Sequence, residues 1–300
     1  MNTNTLKKQQ NIATHFYLLL ATFGWATMYI FIKYVAPEVD PLNISFARYL
    51  FASLFFIPFV FHKIKRLEKK DILPIVFFSL LNASVATMLN VWATTLSTAS
   101  NAAIIINSNP LMIIMLAPFL IGEKNTLRIK IGGIIGFIGL YLTVFQGFKI
   151  QSLLQSEYVF GNLVALFSAS IIAVSTIYLK KYLQKYGAIT ITFVPFVSSL
   201  ILLLGVTICN NTIQHFPTDI RLLLPLIGFG TISTIIPFLA FNHGIQKIGA
   251  SKASIYKLFI PVVTAILAWL LLSEKLTVPT LIGMTLIGIG IYLVNKKKVC

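Results

Sequence analysis

The stretch ASNAAIIINSNPLMIIMLAPFLIGEKNTLRIKIGGIIGFIGLYL runs from Ala99 to Leu142, and ASKASIYKLFIPVVTAILAWLLLSEKLTVPTLIGMTLIGIGIYL runs from Ala250 to Leu293. A shift of 151 residues lays one on the other without a gap, and 17 of the 44 positions are identical. Shared Ile and Leu count for little in so apolar a chain. The pairs Ser100/Ser251, Ala102/Ala253, Pro110/Pro261, Glu123/Glu274, Lys124/Lys275, Gly132/Gly283, Gly139/Gly290 and Tyr141/Tyr292 weigh more, because most have a distinct backbone or charge role. The chain is written twice, and its two Glu-Lys pairs are one structural corner repeated.

Composition names the solvent. Of 300 residues, 57% are hydrophobic and 11% charged, and mean hydropathy is +0.87. A soluble domain carries about a quarter charged residues, so lipid is expected around most of this surface. The fold class expected is all-α integral membrane. At roughly 20 apolar residues per span, the chain divides into ten transmembrane helices. They fall near 14–36, 42–62, 72–94, 99–121, 128–146, 158–180, 188–209, 220–243, 250–272 and 278–295. The first run is too long for a signal-peptide core and has no small-residue cleavage site behind it, so it reads as a retained span. The longest connection, near Gln146–Glu157, divides the chain into 1–146 and 147–300. Five spans is an odd number, so the second half enters upside down. The expected architecture is two inverted five-helix repeats.

The formal charge of +16 points to nucleic acid only when it forms a basic face on a soluble domain. Here Lys and Arg gather in short segments between apolar runs. With the N terminus in the cytoplasm, 18 of the 24 basic residues fall on the inner side, as the positive-inside rule requires. Both termini are therefore expected inside, in a multi-pass protein of the cell membrane. Glu123 then marks an inner corner and Glu274 an outer one. Cys209 and Cys300 form no framework and match no metal or redox spacing. There is no G-x-x-x-x-G-K loop, and Gly228-Phe-Gly230 lacks the third glycine and the strand context of a dinucleotide loop. No zinc spacing and no nucleophile–base arrangement can be argued. Neither a cofactor nor a metal is expected, and neither catalysis nor nucleotide-driven pumping is supported. An inverted repeat is a frequent plan of secondary transporters, which draw on gradients.

Specific motifs point the same way. Gly24-Trp25 lies in the first span and Phe46-Ala-Arg48-Tyr in the second. Trp92-Ala93, Leu96 and Ala99-Ser100 follow, then Pro110, Gly122-Glu123-Lys124, Gly132 and Gly139. The second half answers with Gly249-Ala-Ser251, Pro261 and Ser273-Glu274-Lys275. In combination, and over nearly the whole chain, these resemble the drug/metabolite transporter superfamily in its EamA-type branch. The resemblance implies alternating-access transport of small organic metabolites, with export of amino acids or related compounds favoured. Two places depart from the usual pattern. The sixth span has Ile171-Ile-Ala173 where a Trp is common, and the ninth carries Lys257 where an apolar or small residue is commoner.

Arg48 lies about two turns into the second span. A charge there must pair or face water, so it is either a structural or gating residue or a direct substrate contact. Lys257 stands two turns into the ninth span, four residues before Pro261. It either snorkels to the inner headgroups or meets a substrate carboxylate or phosphate. Pro110 and Pro261 lack an amide hydrogen, which leaves the carbonyls of Ile106 and Lys257 without their helical donor. Paired interruptions of this kind point to a central site. Asn107, Asn109, Asn82, Asn90, Asn242 and His243 add polar groups at span depth, and Asn82 and Asn90 share one helical face. Trp25, Tyr29, Trp92, Tyr256 and Trp269 offer aromatic walls. Singly, each has an ordinary reading as helix–helix glue or packing; collectively they suggest a polar substrate cavity lined by the third, fourth, eighth and ninth spans. Gly132, Gly136 and Gly139, with Gly283 and Gly290, read as packing or homodimer contacts. Two alternatives stay open: uptake of an anionic or zwitterionic metabolite through Arg48 and Lys257, and a membrane-embedded enzyme or scaffold without flux.

Overall fold

The computed structural model describes residues 3–35, 37–64, 67–96, 105–145, 158–272 and 278–295, and every regular element among these is helical. Local caps and breaks set the boundaries. α1 (Thr3–Val35) precedes α2 (Pro41–Ile64), which opens on a proline while Asp40 Oδ1 accepts from the Leu42 amide at 2.8 Å. Proline suits this end, where its missing amide hydrogen costs nothing. α3 (Lys69–Leu80) runs into a π turn, Leu81–Val85, followed by α4 (Ala86–Leu96). α5 (Asn109–Ile121) starts at a proline and stops at Gly122, whose φ of 66° is left-handed. α6 spans Leu127–Phe145. α7 (Val159–Cys209) is interrupted at Gly187, with φ 80° and ψ 164°. α8 (Ile220–Gly230) is capped by Asp219, which accepts from the Arg221 amide at 2.8 Å. A second π turn, Thr231–Ile235, leads into α9 (Ile236–Ile248). Gly249, at φ 91°, separates α9 from α10 (Ala250–Ile255). A 3-10 turn, Tyr256–Phe259, then α11 (Ile260–Leu272) and α12 (Val278–Asn295) complete the chain.

Five helical segments among the described residues are long and apolar enough to cross a bilayer: Lys69–Asn90, Val159–Cys209, Ile220–Ile248, Ala250–Leu267 and Val278–Asn295. Two details depart from the sequence reading. The inner loop expected over 181–187 is helix up to a break of one residue, Gly187. Its cations are good helix formers and sit well near a helix C-terminus. The expected fourth and ninth spans are also not single helices, being interrupted at Asn107–Ser108 and at Tyr256–Phe259. Glu274, Lys275, Ala99 and Ser100 lie outside the described residues.

The chain forms two compact units, each drawing on both sequence halves. The first comprises Met1–Ser84 and Lys181–Ile248; the second comprises Val85–Lys180 and Gly249–Cys300. In the first, α1 packs on α8 and α9, and a Cβ at Gly24 would stand 2.9 Å from the Ile232 carbonyl oxygen. Its core is aromatic: Phe46, Tyr49, Phe56, Phe193 and Phe196 cluster, with Phe56 and Phe196 edge-to-face at 5.9 Å. In the second, α6 and α12 meet backbone to backbone. A Cβ at Gly139 would lie 2.5 Å from the Gly283 carbonyl oxygen, and one at Gly290 would lie 2.5 Å from that of Gly132. Small residues are used this way because lipid provides no hydrophobic drive between helices, leaving close packing to hold them. The glycine stripe is thus occupied inside the chain.

Gly139→Ala and Gly290→Ala should each lower thermal stability in detergent by about 1–3 kcal/mol. Gly288→Ala, with nothing within 4 Å of its added methyl, should be neutral or mildly stabilising. Equal melting midpoints for all three would contradict the close approach.

Candidate functional site

A π turn holds one residue more than a regular helix and so leaves backbone acceptors to satisfy. In Thr231–Ile235 the hydroxyls do this: Thr231 donates to the Ile227 carbonyl at 2.7 Å, and Thr234 to that of Phe229 at 2.8 Å. Arg48 Nε donates to Thr234 Oγ1 at 3.0 Å. Its guanidinium carbon lies 5.3, 5.2 and 5.7 Å from the ring centroids of Tyr49, Phe229 and Phe238. The residue is 9% exposed. Ring faces and a hydroxyl therefore surround this buried charge. Thr27 and Ser233 share a hydroxyl hydrogen bond of 2.9 Å on the same turn.

The other π turn is held in a related way. Ser84 Oγ donates to Ser199 Oγ at 2.8 Å, and Tyr49 Oη to the Ala83 carbonyl at 3.1 Å. Under the 151-residue shift, Arg48 falls on Ser199 and Leu81–Val85 overlaps Thr231–Ile235 in all but one residue. Each π turn is thus pinned by the second span of the opposite sequence half, at equivalent positions. Nothing in the sequence marks these turns, beyond hydroxyl residues in an apolar run.

The sequence candidates divide between the units. Arg48, Asn82, Trp25, Asn242 and His243 belong to the first. Asn90, Trp92, Asn107, Asn109, Pro110, Tyr256, Lys257 and Pro261 belong to the second. The Tyr29 side chain lies outside what the structure describes. Trp25 packs edge-on against Phe238 and Phe241, at 5.5 and 5.1 Å, so Phe238 stands between Trp25 and Arg48. Asn242 Nδ2 donates to Thr192 Oγ1 at 2.9 Å, and Asn82 stands on its π turn. In the second unit, Ser168 Oγ reaches both Asn90 Oδ1 and the Ala86 carbonyl. The carbonyls that the prolines leave without a helical donor each take another one: Asn109 Nδ2 donates to Ile106 O at 2.8 Å, and the Ile260 amide to Lys257 O. Asn109 Oδ1 is buried with no partner among the described residues. Asn107 and Lys257 sit on the two interruptions, and buried Tyr256 accepts from Asn295 Nδ2 at 2.9 Å. Trp92 and Trp269 are half-exposed, as lipid-facing anchors are.

A cavity of about 500 Å³ lies in the first unit, between α1, the chain at Gly187 and the face of α9. Leu20, Ile189, Ile235 and Leu239 form apolar walls, while Tyr17, His243 and Gln246 stand together at one end. The rings of Tyr17 and His243 meet edge-on at 5.2 Å. His243 was legible as a polar residue at a span end. Tyr17 and Gln246 were not; the only hint was the helical spacing of 239, 243 and 246.

Ion pairs fasten the segments read as cytoplasmic. In the first unit Lys185 bonds Asp71 and Glu68, both at 2.6 Å, and Tyr186 donates to Asp71. The Lys185 ammonium holds both carboxyls below their ordinary range. In the second unit Lys180 pairs with Glu123. The Glu123 carboxylate also accepts from the amides of Ser251, at 2.9 Å, and Ala250, at 3.2 Å. Burial pushes the Glu123 carboxyl up, but Lys180 and the Ser251 amide outweigh it and hold it below the usual value. The repeated Glu-Lys corner thereby acquires a function in its first copy: its glutamate closes the start of α10.

Comparison with known proteins extends this picture. The model of the EamA-like transporter family matches residues 12–145 and again 159–296. An Archaeoglobus fulgidus protein named an uncharacterized transporter is 28% identical over 291 residues, covering 96% of this chain and 99% of the relative. The Bacillus subtilis protein YoaV, also named an uncharacterized transporter, is 22% identical over 278 residues, covering 92% and 94%. A crystal structure superposes with a TM-score of 0.79 at 16% identity, covering 94% of this chain and 96% of that one. At that identity the likeness speaks for the fold alone.

Glu123→Ala would strip Lys180 of its partner and α10 of its cap, and should cost about 2–3 kcal/mol in thermal unfolding. The sign of the pH effect follows from the depressed carboxyl. Its contribution is full above the ordinary carboxylate range and is lost as pH falls through the folded-state value. Below pH 5 the wild type should therefore lose its advantage over Glu123→Gln. A gap that stays constant down to pH 3 would count against the pairing.

Proposed function

The chain belongs to the EamA-like transporter family, and on that footing we propose that it is a ten-span secondary carrier of small organic metabolites, with export of amino acids or related compounds as its task. It is a membrane transporter and not an enzyme. One observation carries the finer reading. The α-helical interruptions come in pairs at matching places: Leu81–Val85 with Thr231–Ile235, and Asn107–Ser108 with Tyr256–Phe259. Two halves with the same local breaks, inserted in opposite senses, have two arrangements of comparable energy, which is what alternating access needs. The inner excess of Lys and Arg supports ten spans with both termini cytoplasmic.

In this reading Arg48 belongs to the framework: its guanidinium pins a π turn and is enclosed by rings. Lys257 is the residue assigned to a substrate carboxylate or phosphate, because it stands on one of the paired interruptions. Asn107 and Asn109, on the matching interruption, supply uncharged donors and acceptors. Lys257 is also what favours the second reading, uptake of an anionic or zwitterionic metabolite.

Proteoliposomes decide between carrier and scaffold: a carrier exchanges labelled amino acid against unlabelled amino acid, and a scaffold does not. With a carboxylate-bearing substrate, Lys257→Met should weaken affinity about 10- to 150-fold, the loss of one charge-assisted contact. Lys257→Arg should recover only part, since a planar fork replaces a compact charge. Equal affinities for wild type and the Met variant would remove Lys257 from the site. Cysteines placed at Lys65 and Lys181 should label from the cytoplasm, and at Asp40 and Lys149 from outside. One residue on the wrong side would break the ten-span count.

A further inference from the structure

The cavity of the first unit has the shape of an amphiphile. From the end of the π turn along α9, its wall runs from Ile235 through Leu239 to His243 and Gln246, about 16 Å at 1.5 Å per residue. The π-turn end is wholly apolar. Polar groups collect at the other end, where Gln246 is engaged with the Leu183 carbonyl at 3.0 Å and Tyr186 with Asp71. Tyr17 and His243 remain there to meet an occupant. Lys247 follows His243 by one helical turn, is exposed and lies within its electrostatic reach. None of the ion pairs among the described residues involves Lys247. Lys181, also exposed, lies over the Tyr182 ring on the same side of Gly187 as Tyr186.

The groove is open along its flank. Tyr17 and Ile236, both lining it, are each 40% exposed, and neighbouring Phe16 and Ile232 are exposed as well. Apolar and aromatic side chains left exposed in this way suit hydrocarbon. Apolar walls over most of that length suit an acyl chain better than a polar metabolite, and the polar end suits a headgroup. We propose that this groove is a binding site for an anionic phospholipid of the inner leaflet. One acyl chain lies along Leu239, Ile235 and Ile189, and the phosphate sits at Tyr17, His243 and Lys247. Basic residues beside an interhelical pocket at the cytoplasmic surface recognise anionic headgroups in this way. The leaflet assignment rests on the orientation proposed above; the site does not depend on flux.

The test uses the full chain in mild detergent, with lipid adducts read by native mass spectrometry and thermal midpoints read in parallel. The probes are phosphatidylglycerol, phosphatidylcholine of the same chains, and inorganic phosphate. One phosphatidylglycerol should be retained in preference to phosphatidylcholine and should raise the midpoint, while inorganic phosphate should do neither. Lys247→Gln should lose about fivefold in affinity for phosphatidylglycerol only, and Ala240→Leu, which shortens the slot, should weaken both lipids. Equal retention of the two lipids, a matching shift from inorganic phosphate, or unchanged retention in Lys247→Gln would each overturn the proposal. Retention by a protein that moves no solute would instead overturn the carrier reading and leave the lipid site standing.

Discussion

Hydrocarbon offers a backbone amide or carbonyl nothing to bond with, so every departure from the α-helix must be closed from within the chain. Several polar side chains among the described residues meet that requirement. The carbonyl that Pro110 leaves open is met by the Asn109 side chain, and the one that Pro261 leaves open by the Ile260 amide. The Thr231–Ile235 turn is closed by its own threonine hydroxyls. The start of α10 is closed by Glu123, 127 residues away in sequence. For such residues, the capacity to meet a ligand is what remains once the backbone bond is made. Asn109, with its amide engaged and its oxygen buried without a partner among the described residues, shows how little can remain.

The same logic explains why a cation is tolerated in the second span. Arg48 replaces its lost hydration with one hydroxyl and three aromatic faces, a neutral shell that adds no second charge to be buried. The mirror position holds Ser199, so the opposite π turn is fastened by neutral groups, a hydroxyl pair and the Tyr49 phenol on the Ala83 carbonyl. The symmetry is one of position, not of strength.

Much of this was legible in the sequence because the signals are local. The offset of 151 residues, the prolines at 110 and 261, and Gly132 and Gly139 against Gly283 and Gly290 all mark a backbone event near the residue that causes it. The repeat also made the Glu-Lys corner visible as a structural unit. The rest depends on long-range contact. Which groups Glu123 would hold, that Gly187 alone would replace a loop, and that Tyr17 and His243 would close one end of a groove are set by how distant helices meet. Asn90, Asn107 and Asn109 read alike as span-depth amides, yet Asn90 serves a neighbouring helix and Asn109 serves its own.

The two π turns also fix a phase. A regular helix turns about 100° per residue, so the extra residue in Thr231–Ile235 rotates everything after it by more than a quarter of a circle. That rotation decides which residues of α9 look toward Thr192 and which toward Tyr17. Without it, the wall formed by residues 235, 239, 243 and 246 would point elsewhere, although every side chain were unchanged. The identity of that surface is stored in a residue count, and a single-residue gap or insertion upstream would scramble it more thoroughly than most substitutions within it.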